Sequence, residues 1–223
     1  MTYNLSAPAA RSAWRSFAIT RVGGAAVSWF LFSLCFTLLF LSGTAVIGLG
    51  GFCASGGPYQ IAVQCPDAVA AFTPLSIFGG LIAVGLGAWL AQGFGTPLTT
   101  WAWPILFCGL GLAFLGGFVT QGDITGLLIG IMFEIMGLVP LVIELRGSPQ
   151  RVFLGQFSAS GAQFYEGESA RGALLSPTSP NPDGAIKPTL GHWLAGLGTA
   201  VVFAALGAQV AILWFSALST VPQ

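Results

Sequence analysis

The sequence predicts an all-α integral membrane protein of five transmembrane helices, with the N-terminus inside, the C-terminus outside and a disulfide-capped outer loop. Three observations predict it. The chain contains five apolar runs near the roughly 20 residues needed to cross a bilayer core. Only 6% of its 223 residues are charged, against 55% hydrophobic, whereas a soluble domain carries about 25% charged residues. So few charges cannot cover an ordinary water-facing surface, and lipid must be the solvent for most of the chain. All seven basic residues fall in two short stretches. Arg11, Arg15 and Arg21 precede the first apolar run, and Arg146, Arg151, Arg171 and Lys187 lie between the fourth and fifth.

The expected spans are 27–49, 72–91, 103–119, 124–145 and 193–218. Helix is the default, because a spanning segment must satisfy its own backbone groups and these runs are too long and uniformly apolar for barrel strands. The apolar run 25–50 exceeds the about 7–15 residues of a signal-peptide core, so it reads as an uncleaved first span. Pro74 opens the second span and Pro104 the third. The chain divides into a basic cytoplasmic segment (1–24), a four-helix membrane region (25–145), a cytoplasmic loop (146–190), and a fifth helix with a short outer tail (191–223).

Orientation follows from Lys and Arg near the span ends. With the N-terminus inside, both basic stretches are cytoplasmic. Trp29, Trp89, Trp101, Trp103 and Trp193 then mark the inner ends of spans, with Trp14 just before them and Trp214 alone near the outer face. Such rings favour the headgroup level. The outer loop 51–71 holds Cys53 and Cys65 in the oxidising compartment, where disulfides persist. A disulfide between them closes a small loop and contributes about 3 kcal/mol in the chain-entropy description. Cys35 and Cys108 lie within spans and read as small buried hydrophobes. Residues 176–184, Ser-Pro-Thr-Ser-Pro-Asn-Pro-Asp-Gly, cannot build a core. Phe153, Phe157, Phe164 and Tyr165, earlier in that loop, are candidates for lying on the bundle or the membrane surface.

Glycine is unusually frequent, at 32 residues, and small residues let membrane helices approach closely. The second and third spans share a Pro-start, Gln-Gly-end pattern, read here as coincidence in Gly/Leu-rich sequence. Glu134 is the one charged residue deep inside a span, roughly 15 Å from either end at helical rise. A charge there is costly and marks a functional candidate. Gly126, Gly130, Glu134 and Gly137 recur at helical spacing and form one stripe of the fourth helix. Gly126 and Gly130 also form a Gly-x-x-x-Gly helix-contact motif. Glu134 is therefore expected to face a neighbouring helix. No basic residue in any span lies at its depth, so the expectation is a neutral carboxyl hydrogen-bonded to a hydroxyl, carbonyl or water. Pro140 removes a helix bond to residue 136 and is a candidate kink that frees a carbonyl.

Catalytic and metal-binding signals are absent from the sequence. There is no phosphate-binding Gly-rich motif, no His-Glu-x-x-His, no Cys/His cluster and no Gly-x-Ser-x-Gly. His192 is the sole histidine, at the inner end of the fifth span, so bis-histidine haem within this chain is impossible. The basic residues are too sparse for a nucleic-acid stripe. No catalytic residue and no cofactor is assigned, and the expected partners are the lipid bilayer and other membrane subunits.

The run Gly51-Phe-Cys-Ala-Ser-Gly-Gly-Pro-Tyr-Gln-Ile-Ala-Val-Gln-Cys65-Pro resembles a loop of multi-pass membrane proteins of high-GC Gram-positive bacteria that have no established activity. Met136-Gly-Leu-Val-Pro-Leu-Val-Ile-Glu-Leu-Arg146 is similar to a segment of the same group. The resemblance spans roughly the first four helices. It implies a bacterial plasma-membrane protein and transfers no functional residue. Three readings follow: a non-catalytic accessory or structural subunit of a membrane complex, a small proton-coupled carrier centred on Glu134, and a pigment- or quinone-binding protein. The first accounts for tight packing, a stapled cap and missing catalytic groups.

Overall fold

The computed structural model describes residues 7–49, 53, 64–91, 95–147, 152–153 and 190–218, with side chains excepted at 7–21 and 191–192. Its described residues form five helices: α1 (Ala7–Gly48), α2 (Val69–Leu86), α3 (Leu98–Gln121), α4 (Ile124–Gly147) and α5 (Leu190–Leu218). Each contains a segment long and apolar enough to cross a membrane, from Val22–Gly48 in α1 to Trp193–Leu218 in α5.

Several boundaries differ from the sequence reading. The first helix starts at Ala7, far before residue 27, because the Ala- and Arg-containing segment ahead of the apolar run is made largely of helix formers and holds no proline after Pro8. The second and third helices begin before their prolines, at Val69 and Leu98. Pro74 and Pro104 therefore lie inside the helices. The second ends in a π-helical turn, Gly87–Ala91. In the long inner loop only Val152 and Phe153 are described. Phe157, Phe164, Tyr165, the 176–184 run and the tail 219–223 lie outside the described residues, as does the His192 side chain.

Helix α1 is the hub, packed by α2, α3 and α5. The core beside it is built from Trp29, Phe32, Ala83, Leu98 and Ala200, with a second cluster of Leu38, Phe72 and Ala211. Residue pairing fixes the directions. Cys35 abuts Gly79 and Ser28 abuts Gly87, so α2 runs antiparallel to α1. Ala25 packs with Ala195, Trp29 with Ala200 and Leu38 with Ala211, so α5 is parallel to α1, and the Ser33 hydroxyl ties the two by donating to the Ala204 carbonyl at 2.7 Å. Trp29 reaches Thr96, and Gln121 Nε2 donates to Ile47 O at 2.9 Å, so α3 is parallel too. Helix α4 packs on α3 alone among the pairs with extensive contact. The α3–α4 turn is short because both ends are capped. Gly122 adopts left-handed φ 72° and donates to Phe118 O at 2.8 Å. Asp123 then accepts from the Thr125 and Gly126 N–H groups, both at 3.0 Å.

One end of the bundle carries the disulfide. Cys53 and Cys65 are joined, as the sequence predicted. At the opposite, basic end, Val152 and Phe153 are seated on the helix ends. Trp101 Nε1 donates to Val152 O at 2.9 Å, and Thr96 Oγ1 donates to Phe153 O at 2.8 Å. The Phe153 ring lies between Trp101 and Trp193, at 5.5 and 6.3 Å.

Close approach at glycine is the main packing device, and it is testable. A Cβ on Gly207 would overlap the Phe30 carbonyl, whereas one on Gly198 would meet open space. Gly207→Ala is expected to lose about 1–3 kcal/mol by overpacking. Gly198→Ala is expected to be neutral or to gain up to about 1 kcal/mol from helix propensity. Detergent-denaturation midpoints of the two variants check this.

Candidate functional site

The chemistry-bearing residues of the spans gather between α3 and α4. The stripe Gly126, Gly130, Glu134 and Gly137 faces α3 along its length. A Cβ on Gly126 would come within 3.2 Å of Phe114 O, and one on Gly130 within 3.1 Å of Gly111 O. Gly137 lies against Cys108 and Phe107. Glutamate 134 is half-buried in this seam, packed on Gly111, where a Cβ would come within 2.8 Å of Oε1 and 3.0 Å of Cγ. Replacing Gly111 by any larger residue therefore displaces the carboxyl.

The polar surroundings of Glu134 are sparse among the described residues. Its Oε1 atom is buried and has no hydrogen-bond partner among the described residues. Its polar neighbour is the thiol of Cys108, on the facing turn of α3. Nothing in the sequence pairs these two. Their juxtaposition depends on the α3–α4 register, which the Gly122–Asp123 turn sets. Nor does Pro140 serve Glu134. Proline lacks the N–H that would bond residue 136, and the Met136 carbonyl instead accepts from Trp103 Nε1 at 3.0 Å. The freed carbonyl was legible in the sequence, but its partner was not.

Two cavities flank these helices. One is about 30 Å³, room for a single water. It lies at the π-turn and is lined by Ser28, Trp29, Gly87 and Thr96. The other is a groove of about 650 Å³ between the basic-end halves of α3 and α4, with Trp103, Pro104, Pro140 and Glu144 in its walls. Glu134 lines neither. No cluster of three or more His, Cys, Asp or Glu able to hold a metal occurs among the described residues.

The sequence reading offered Phe153 as a residue lying on the bundle or the membrane surface, and it lies on the bundle. The π-turn and the groove were missed. Compared with known proteins, the chain matches no family model, no curated protein and no solved structure.

Two variants separate the roles at this seam. Trp103→Phe strips the Met136 carbonyl of its donor and is expected to lose about 1–2 kcal/mol. Glu134→Gln keeps the shape of the carboxyl and is expected to change stability by less than about 0.5 kcal/mol. Unfolding midpoints in mixed detergent measure both. A loss above about 2 kcal/mol in Glu134→Gln would contradict a simple packing role.

Proposed function

We propose that the protein is a non-catalytic structural subunit of a membrane complex. The observation that carries this reading is the one-sided attachment of its outer helices. Helix α5 is buried over only 11% of its most apolar window and α4 over 17%, against 28% for α1. Helix α5 has one extensive neighbour, α1. Its outer face presents Val201, Val202, Leu206, Leu213 and Trp214 to the surroundings. Helix α1 continues before Val22 by 15 residues that include Arg11, Arg15 and Arg21. At helical rise this adds roughly 22 Å beyond the span, a basic strut suited to an aqueous or acidic partner surface. Glu134 lines neither cavity and packs on Gly111, which supports packing there better than ion passage.

The topology proposed with it places the basic end in the cytoplasm and the disulfide outside, in a bacterial plasma membrane. The charge distribution supports this orientation, as does the compartment preference of disulfides. Alkaline phosphatase fused after Leu218 is expected to be active, and fused after Gly147 inactive. The reverse pattern would invert the topology.

The subunit reading is tested by purifying the tagged full chain in mild detergent. A stoichiometric co-eluting membrane protein is expected, and it is expected to be lost when Val202 and Leu206 on the α5 face are both changed to Trp. A monodisperse monomer in native-like nanodiscs would sink the reading.

A further inference from the structure

We propose that the groove between α3 and α4 is a binding site for the ammonium headgroup of an aminophospholipid, with one acyl chain lying along the groove wall. The groove begins where the glycine seam ends. Gly126, Gly130 and Gly137 hold the disulfide-end half of α4 against α3. After Gly137 that face carries Pro140, Leu141 and Glu144, and the space between the helices widens to about 650 Å³. That volume falls within the about 300–1,000 Å³ of small-molecule sites.

The polar groups of the groove are a carboxylate, two hydroxyls and a carbonyl, with no cationic donor among the described residues. Its one charged wall residue is Glu144, which is exposed and has no ion pair among the described residues. Pro104 has no N–H to give the Thr100 carbonyl, so that oxygen lacks its ordinary helical donor. Thr99 and Thr100 add hydroxyls that can accept. The indole N–H of Trp103 is already committed to Met136 O, which leaves its ring as an apolar wall. No Lys or Arg lines the groove among the described residues. Arg146, two residues past Glu144, lies about 200° round the helix and cannot serve this face.

An anionic headgroup finds no counter-charge in such a mouth, whereas a primary ammonium finds a carboxylate, a carbonyl and hydroxyls at one place. Below them Ile135, Met136 and Val139 offer an exposed apolar track. Glu144 lies near the end of a membrane-length helix, at the level where headgroups reside. The charge complementarity and the apolar track together select an amphiphile anchored in the bilayer.

The test uses the full chain in mild detergent, offered equimolar phosphatidylethanolamine, phosphatidylcholine and phosphatidylglycerol with matched acyl chains. Retained lipid is counted by native mass spectrometry. Phosphatidylethanolamine is expected to be retained about tenfold over phosphatidylglycerol, equivalent to about 1.4 kcal/mol. Phosphatidylcholine, charged but without N–H donors, is expected to fall between them. Glu144→Gln should collapse the preference to about twofold or less, about 0.4 kcal/mol. Val139→Trp should lower retention of all three lipids by filling the track. Both variants lie on the exposed surface, and an intact Cys53–Cys65 disulfide with unchanged helix content verifies their folding. Equal retention of phosphatidylethanolamine and phosphatidylglycerol would overturn the site, as would a preference that survives in Glu144→Gln. Retention of phosphatidylcholine equal to phosphatidylethanolamine would overturn the hydrogen-bonded ammonium. Added mass from a second protein chain in place of lipid would overturn the lipid assignment.

Discussion

The structure depends on close backbone approach along α1. In lipid, helices gain no hydrophobic drive toward one another, so van der Waals packing must hold them. Packing of that kind needs small residues where axes converge. Helix α1 meets α2 at Gly79 and Gly87, α3 at Gly109 and α5 at Gly207. A Cβ on Gly109 would overlap the Phe36 ring, just as one on Gly207 overlaps Phe30 O. Most glycines of this surface lie on the partners rather than on α1. The hub supplies Cys35 and Phe36 as knobs at Gly79 and Gly109, and its own backbone at Phe30 meets Gly207. Ser28 and Leu38 fill what remains, both almost wholly buried.

That constraint explains which parts of the fold were legible. Span existence and number were readable because 20 apolar residues in sequence admit one solution in a bilayer. Alternating direction followed because each membrane-length run that crosses a bilayer must be answered by the next crossing back. The disulfide was readable because two cysteines lie close together in one loop. Helix starts were less so, since Pro74 and Pro104 look like openings in sequence but lie in the second turn of their helices. Pro74 removes the bond to the Ala70 carbonyl, and the Thr73 hydroxyl bonds its neighbour Val69 O at 3.0 Å. Prolines are tolerated in membrane helices where such rearrangement is available. For the candidate site, the stripe of α4 could be read from spacing alone, but Cys108 beside Glu134 and Trp103 beside Met136 could not. Both are α3–α4 pairings whose register comes from a two-residue turn, and helical spacing along one helix carries no information about register between two.

The tryptophans illustrate the same division. Their clustering at one end was visible as a headgroup-level belt. In the structure they divide by partner. Trp29 is buried and bonds Thr96 O at 2.9 Å. Trp101 bonds Val152 O, and Trp103 bonds Met136 O. Trp89 remains exposed. Three of these indoles therefore satisfy backbone carbonyls that a helix end, a loop or a proline leaves without partners. An amphipathic ring at the interface can do this because its apolar body tolerates lipid while its N–H reaches inward.

The two ends of the α3–α4 pair are consequently unlike by construction. At the disulfide end, Gly122 and Asp123 join the helices within two residues and glycines bring the axes together. At the basic end nothing covalent joins them, the glycines stop, and each helix carries a proline. Pro104 and Pro140 face one groove, each depriving one carbonyl of its ordinary donor. Trp103 answers the carbonyl of Met136, and no indole answers that of Thr100. A hairpin closed at one end and opened by paired prolines at the other gives a wedge, with its wide end at the basic end of the bundle. Glu144 then stands where its charge can stay solvated. Glu134 lies where the wedge has narrowed to the thickness of a glycine contact. Two carboxyl groups ten residues apart on one helix thereby meet opposite conditions: Glu144 at the basic end is exposed, and Glu134 at mid-helix is committed to the seam.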